Sequence, residues 1–148
     1  MVIKHFSNFE DLTPADLYNL LKLRQDVFII EQDCIYEDID GLDIKSEHVL
    51  IYHGEQKLAA YARIVPAGLK FDEISIGRIV VNPEMRKMGL GKLLMRKILE
   101  MLKNRNVKHI KIEAQVYLEN FYQPFGFKKV SEPFDLDGIP HIEMSLKF

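Results

Sequence analysis

Residues 86–92, Arg-Lys-Met-Gly-Leu-Gly-Lys, have the composition of an anion-binding loop. Gly89 and Gly91 allow a backbone to approach a ligand closely, and a helix that begins there leaves its first N–H groups without intrahelical partners. Those donors, the positive end of the helix dipole and the side chains of Arg86, Lys87 and Lys92 together favour a phosphate or pyrophosphate. The segment is therefore predicted to hold a phosphorylated ligand.

Two common phosphate-binding loops do not fit this segment. A Walker A loop that ends at Gly91 and Lys92 requires a glycine at Arg86 and a Ser or Thr at Leu93. A dinucleotide fingerprint that begins at Gly89 requires a glycine at Leu94. Taken alone, the glycines are equally compatible with a simple turn between a strand and a helix.

The flanking residues predict the elements that position this loop. Ile74 to Asn82 is the most strand-like stretch of the chain, and Pro83 ends it. A helix is predicted from Gly89 to Asn104, because apolar residues recur there at helical spacing. The apolar face consists of Leu90, Leu93, Leu94, Ile98, Met101 and Leu102.

The rest of the chain predicts one domain, residues 1–148, of the α/β (α+β) class on one mixed sheet. We expect helices over 13–30 and 118–125, the first capped by Thr13 with Pro14 in its first turn. The remaining strands are expected at 2–9, 48–53, 57–65, 109–114, 127–130 and 141–147, with a hairpin turn at 54–56.

Two motifs of this chain resemble those of one enzyme family. Val80-Val81-Asn82-Pro83-Glu84 followed by Arg86-x-x-Gly89-x-Gly91 is similar to the acyl-CoA-binding motif of the GNAT superfamily of N-acetyltransferases. The later segment 120–127, with Tyr122-x-x-x-Gly126-Phe127, is similar to the C-terminal motif of that superfamily. Segments 23–43, 61–63, 76–78 and 137–141 further resemble its ElaA-like branch.

The resemblance implies a GNAT-type acyl-CoA N-acyltransferase fold, with a central mixed, mostly antiparallel twisted sheet flanked by helices. It also implies direct transfer of an acetyl group from acetyl-CoA, without a metal, to a primary amine of a small molecule or protein. A catalytically silent sensor that binds acyl-CoA is the alternative. Relatives occur as monomers and homodimers, and both states stay open.

The resemblance also assigns roles to individual residues. Tyr122 is the expected general acid, which protonates the departing thiolate, and a backbone N–H of Ile79 or Val80 is expected to polarise the thioester carbonyl. Asn120 is equally compatible with a turn cap, and the core is the favoured interpretation for Phe125. The expected cofactor-binding residues are Ile79, Val80, Val81, Arg86, Lys87, Met88, Gly89, Leu90, Gly91, Lys92, Asn120 and Phe125.

The general base is not identified by the sequence. Many relatives carry a glutamate on the strand before the loop, but this strand reads Ser-Ile-Gly-Arg at 75–78, and Glu73 lies ahead of it. Glu31, His48, Glu113, His141 and a water chain are the candidates.

The segment from Glu31 to Glu47 is strongly acidic and does not fit a calcium-binding EF-hand. Structural ion pairs between its carboxylates and Arg24, Arg63 and Arg78 are the favoured interpretation. A pocket for a substrate carboxylate is the alternative for these arginines. For the acidic segment itself, a solvated loop is favoured over a wall that attracts a cationic amine.

Composition excludes several classes of function. A net charge of -2 and a pI of about 6.2 provide no basic surface for nucleic acid. The N-terminus lacks the apolar core of a signal peptide, and no apolar run is long enough to cross a membrane.

Cys34 is the single cysteine, so no intrachain disulfide forms, and its position beside Asp33 argues against a nucleophilic role. A cytoplasmic protein is expected.

Overall fold

The computed structural model describes residues 1–55 and 57–148; Gln56, the last residue of the turn predicted at 54–56, lies outside the described residues. The strands are β1 (Val2–Phe6), β2 (Glu47–His53), β3 (Lys57–Val65), β4 (Ser75–Val81), β5 (His109–Gln115), β6 (Lys128–Lys129), β7 (Phe134–Leu136) and β8 (Ile139–Lys147). The helices are α1 (Pro14–Arg24), α2 (Leu90–Asn104) and the short α3 (Glu119–Tyr122).

The strands form a mixed, mostly antiparallel sheet, as predicted, but it is divided into two antiparallel halves. One half has the order β1-β2-β3-β4, and the other has the order β5-β8-β6 with β7 also paired to β8. In the part of the chain that the structure describes, the halves meet at one parallel bridge between Ile74 and Ile110, where the amide of Lys111 donates to the Ile74 carbonyl at 3.0 Å. From Ser75 onward β4 pairs with β3 alone among the described strands, so the halves diverge and leave a wedge-shaped gap.

A β-bulge interrupts β4 beside this gap. Arg63 pairs with Gly77 and Tyr61 pairs with Val80, so β4 contains one more residue than β3 over this stretch. The extra residue is accommodated at Arg78, whose φ is +50°. A bulge bends its strand and redirects the neighbouring backbone groups, which places an irregular strand edge at the gap.

Helices cover both faces of the first half of the sheet. α2 buries Leu94, Ile98 and Leu102 completely, against the cluster that also contains Ile64 and Ile112. On the other face, Leu20 and Leu23 of α1 pack with Leu50 and Tyr61. The amphipathic pattern that predicted α2 is therefore confirmed, and its N-terminus is fixed at the edge of the sheet by this packing.

The first long helix differs from its prediction. The Thr13 hydroxyl caps α1 by accepting from the Asp16 amide at 3.0 Å, as expected. The helical path continues from Gln25 to Glu31, but as a π-helix rather than an α-helix. A π-helical turn rotates the following side chains relative to an α-helix, and Val27, Phe28 and Glu31 come to line the gap.

Several predicted strands have different limits in the structure. The first strand was expected to reach Phe9, but it ends at Phe6, and Phe9–Asp11 forms a 3-10 turn. β6 occupies only Lys128–Lys129 of the predicted 127–130, and β8 begins at Ile139 rather than His141. β7 was not predicted, because three residues show no periodicity, and it exists only through its pairing with β8.

Candidate active site

A cavity of about 540 Å³ occupies the gap between the two halves of the sheet. One wall is β4 from Ser75 to Val81, and the opposite wall comes from β5, β8 and the segment 117–122. The π-helical residues close a third side. The cavity therefore lies where β4 has no second neighbour among the described strands, and this strand edge can bind an extended ligand as an added strand would.

The segment predicted to bind phosphate borders an open depression next to this cavity. Its lining consists of Val81, Met85, Arg86, Lys87, Gly89, Leu90, Gly91, Lys92 and Phe121. Val81, Arg86, Gly91 and Phe121 line the cavity as well, so the two spaces adjoin. The structure thus brings the end of β4 and the start of α2 together on one surface.

The local geometry at the start of α2 matches an anion-binding helix terminus. Gly89 caps the helix in the left-handed region with φ of +75°, and the first helical hydrogen bond runs from the Leu93 amide to the Gly89 carbonyl at 3.0 Å. The amides of Leu90, Gly91 and Lys92 precede that bond, so they have no intrahelical acceptor. A Cβ at Gly91 would lie 3.4 Å from the Phe121 ring, toward the depression.

Arg86 forms an ion pair in this structure rather than facing open solvent. Its guanidinium donates to both carboxylate oxygens of Glu31, at 2.8 and 2.5 Å. The hydrogen bonds from Arg86 lower the pKa of Glu31, so the carboxylate stays charged. This pair links the end of the π-helix to the loop before α2.

Tyr122 lies on α3 against the cavity. Its ring packs edge-on against Phe121 and Phe127, and only 6% of the residue is exposed. Burial raises the pKa of the phenol well above its usual value, which keeps it protonated. No hydrogen bond to the hydroxyl is found within residues 1–55 and 57–148, so the proton is free to go to a ligand.

Comparison with known proteins agrees with this geometry. Residues 13–148 match the family model described as "Acetyltransferase (GNAT) domain". The chain belongs to the GNAT acetyltransferase family.

Two GNAT-fold relatives match almost the whole chain. Protein ElaA of Escherichia coli is 41% identical over 138 residues, which cover 91% of this chain and 90% of ElaA. Its crystal structure has a TM-score of 0.90 and covers 99% of this chain and 100% of that one. An acyl-CoA N-acyltransferase from Pseudomonas aeruginosa, 33% identical, also has a TM-score of 0.90, with 98% of each chain covered.

A more distant GNAT acetyltransferase, from Elizabethkingia anophelis, was solved with acetyl-CoA bound. It is 18% identical, has a TM-score of 0.67, and covers 99% of this chain and 97% of its own, so it shares the fold. In the part of the present chain that the structure describes, no helix has both the length and the apolar composition to cross a membrane.

Three residues expected to bind the cofactor in this GNAT domain lie outside both spaces. Met88 is 51% exposed and Asn120 is exposed, and neither lines the cavity or the depression. Phe125 packs against the main core and edge-on against Phe121, as the core interpretation predicted. Phe121 itself was not expected in the site; only tertiary structure shows that it lies beside Gly91.

The favoured ion pairs of the acidic segment are present in the structure. Arg24, fully buried, donates to Asp38 at 3.0 Å and to Asp43 at 2.7 Å. Arg63 donates to Asp40 at 2.8 and 2.9 Å and to Asp43 at 3.0 Å. Burial alone would raise the pKa of Asp40, but the Arg63 hydrogen bonds, the Leu42 amide and the charges of Arg63 and Arg78 together outweigh burial and lower that pKa. These ion pairs therefore hold the acidic segment (31–47) against α1 and β3.

Arg78, at the bulge, belongs to the same network but also reaches the cavity. Its Nε lies 2.9 Å from an Asp38 carboxylate oxygen, and its guanidinium lies over the Tyr36 ring at 5.4 Å. Arg63 and Arg78 both line the cavity, while their carboxylate partners lie behind them. The network therefore holds the wall of the cavity beside the bulge.

The candidate general bases differ in their positions relative to the cavity and in their partners. His48 is fully buried outside the cavity, and its ring nitrogens bond to the Tyr61 hydroxyl at 2.6 Å and to the Asp43 carbonyl at 2.9 Å. Glu113 lines the cavity but pairs with Lys70 at 3.0 Å. Glu31 is held by Arg86, as described above. Glu73, which does not line the cavity, lies 3.5 Å from His109.

Proposed function

We propose that this protein transfers an acetyl group from acetyl-CoA directly to a primary amine of a small molecule or protein. One observation carries the proposal: the open edge of β4, the free amides at the start of α2 and the Tyr122 phenol border two adjoining spaces. Acyl transfer from the thioester of a phosphorylated carrier requires three parts. These are a strand edge that binds the carrier's extended arm, an anion site that binds its phosphates and a proton donor for the departing thiolate.

The coenzyme is expected to lie across the two spaces. Its pyrophosphate binds the amides of Leu90, Gly91 and Lys92, with Arg86 and Lys87 adding positive charge. Its pantetheine arm runs along β4 from Val81 toward the bulge, where the amides and carbonyls of the unpaired edge can receive it. The thioester then lies inside the cavity.

The acyl transfer itself is a direct attack. The neutral amine adds to the thioester carbonyl carbon, and negative charge develops on the carbonyl oxygen. A backbone N–H of Ile79 or Val80, next to the bulge, donates to that oxygen and stabilises the tetrahedral intermediate. An amide donor that is already oriented by the strand requires no reorganisation during the reaction.

Tyr122 completes the reaction as the general acid. The carbon–sulfur bond breaks, and the phenol gives its proton to the departing CoA thiolate. The phenol is protonated at the start of every turnover at physiological pH, because the usual pKa of about 10 already lies above that pH and burial raises it further. The phenolate then recovers a proton that the acylated nitrogen loses.

An acceptor screen tests the proposal. Free-thiol release from acetyl-CoA is followed with polyamines, amino acids, aminoglycosides and lysine peptides, and calorimetry compares acetyl-CoA with inorganic pyrophosphate. We expect tight acetyl-CoA binding, weak pyrophosphate binding and thiol release with one acceptor class. Acetyl-CoA binding without any thiol release would favour the silent sensor, and equal affinity for both ligands would favour a general anion site.

A further inference from the structure

We propose that His141 is the catalytic base that removes the proton from the acceptor ammonium group. This role rests on the acetyl transfer proposed above. His141 lines the same cavity as Tyr122 and β4, and the reaction requires a base there because primary amines are mostly protonated at neutral pH.

The surrounding strands fix the position of the His141 ring. On β8 it pairs directly with Gln115 of β5 on one side and with Phe134 of β7 on the other. The Phe134 ring stacks on it with a centroid distance of 6.2 Å and an interplanar angle of 29°. Its neighbour Ile142 is buried in the core, so the strand alternation directs His141 to the opposite face.

One hydrogen bond determines which ring nitrogen can act as a base. Nδ1 lies 2.7 Å from the backbone carbonyl of Ile139. A carbonyl oxygen only accepts, so Nδ1 carries the hydrogen, and in the neutral ring Nε2 has the free lone pair. Over residues 1–55 and 57–148, Nε2 has no hydrogen-bond or ion-pair partner, so this lone pair is available to a ligand.

Several charged groups surround His141. On the same face, Glu113 of β5 is paired with Lys70 at 3.0 Å, and Glu143 of β8 is paired with Lys111 at 2.9 Å. Asp137 of the β7–β8 turn also lines the cavity, as does Arg78 of β4 from the opposite wall. The facing residue on β5, Gln115, is uncharged.

Every proton in the complete reaction is accounted for. His141 Nε2 takes a proton from the acceptor ammonium and later releases it to solvent. The resulting neutral amine forms the carbon–nitrogen bond, the carbon–sulfur bond breaks, and Tyr122 protonates the thiolate. The nitrogen then loses its second proton, which returns to the Tyr122 phenolate, so only the amide, free CoA and one proton are produced.

A substitution series with two acceptors separates a base from a structural residue. His141→Gln is assayed with a lysine peptide, whose ammonium must lose a proton, and with hydroxylamine, which is unprotonated at neutral pH. We expect kcat/KM at pH 7 to fall about 10²–10⁴-fold with the peptide, to recover as pH rises, and to change little with hydroxylamine. His53→Gln, an exposed histidine at the end of β2, is the matched control.

The remaining outcomes are distinguishable. An equal loss with both acceptors at every pH would give His141 a structural role and overturn the proposal, as would wild-type activity in His141→Gln. No thiol release by the wild-type protein with any acceptor would overturn the acetyl transfer as well. Long-range ¹⁵N NMR of the imidazole gives a test without an acceptor: a hydrogen on Nε2 rather than Nδ1 in the neutral ring would exclude this base.

Discussion

The Arg86 guanidinium and the Glu31 carboxylate form a bidentate ion pair at the rim of the cavity, with N–O distances of 2.8 and 2.5 Å. Glu31 ends the π-helix after α1, and Arg86 precedes the start of α2. Arg86 is also the side chain expected to bind the coenzyme pyrophosphate. In the proposed binding mode, Glu31 competes with the pyrophosphate for the same guanidinium.

Removing the Glu31 charge should strengthen coenzyme binding. Glu31→Gln leaves Arg86 free for the pyrophosphate, and exposed ion pairs contribute about 0.2–1 kcal/mol, so the Kd for CoA should fall up to about fivefold. Calorimetry with CoA measures it. Glu37→Gln, an exposed carboxylate in the same acidic segment, is the control and should leave Kd unchanged. Weaker binding in Glu31→Gln would show that Arg86 does not hold the pyrophosphate.

Removing the Tyr122 hydroxyl should slow turnover without weakening the fold. The ring of Tyr122→Phe still packs against Phe121 and Phe127, so Tm and CoA affinity should stay close to wild type. Loss of the general acid should lower kcat about 10²–10⁴-fold, followed by thiol release at saturating substrates. Tyr18→Phe, 70% exposed on α1, is the matched control. Unchanged kcat in Tyr122→Phe would remove Tyr122 from the mechanism.

Gly91→Ala should raise the stability of the fold and weaken the binding of CoA. The new Cβ meets Phe121 at an ordinary contact distance of 3.4 Å, and Gly→Ala at a compatible position stabilises by about 0.4–1 kcal/mol. The same methyl group stands at the proposed pyrophosphate site, so the Kd for CoA should rise about tenfold, the equivalent of one charged hydrogen bond. Thermal unfolding and calorimetry measure the two effects, and unchanged CoA affinity would contradict this placement.

The acidic network should make stability sensitive to acid. The pKa of Asp40 is lower in the folded protein than in the unfolded chain, where aspartate titrates at about 3.9. Its contribution is therefore complete above about pH 5 and is lost as pH falls through the unfolded pKa toward the folded one.

Asp40→Asn removes this contribution and leaves Arg63 underpaired. Because Arg63 keeps Asp43 as a partner, we expect a loss of about 1.5 kcal/mol at pH 7, the lower end for a hydrogen bond to a charged group. We also expect a shallower decline in stability toward pH 3, and urea unfolding measures both. Asp11→Asn, an exposed carboxylate before α1, should follow the wild-type curve. A parallel decline in Asp40→Asn and wild type would show that Asp40 does not govern the acid response.

Patterns that depend on near neighbours in sequence predicted the fold well. The period of apolar residues in α2, the Thr13 cap and the strand–loop–helix around Gly89 are local, and the structure confirms them. The π-helix over 25–31 and the three-residue β7 were not predicted. β7 exists through its pairing with β8, and the π-helix carries residues that contact distant segments, Val27 in the cluster with Leu50 and Glu31 at Arg86. Local propensity does not record such contacts.

The sequence by itself determined the family motifs, the anion-binding composition of 86–92 and the position of Tyr122 in its motif. Tertiary structure decided that Glu31, Glu113 and His141 all line the cavity but that both glutamates are paired with basic side chains. It also decided that Phe121 lies beside Gly91. The physical reason is that a motif consists of residues close together in the sequence. The solvent exposure of a side chain, its hydrogen-bond partners and its free lone pairs depend instead on strands that come together from distant positions. His141 acquires its fixed ring only between Gln115 and Phe134.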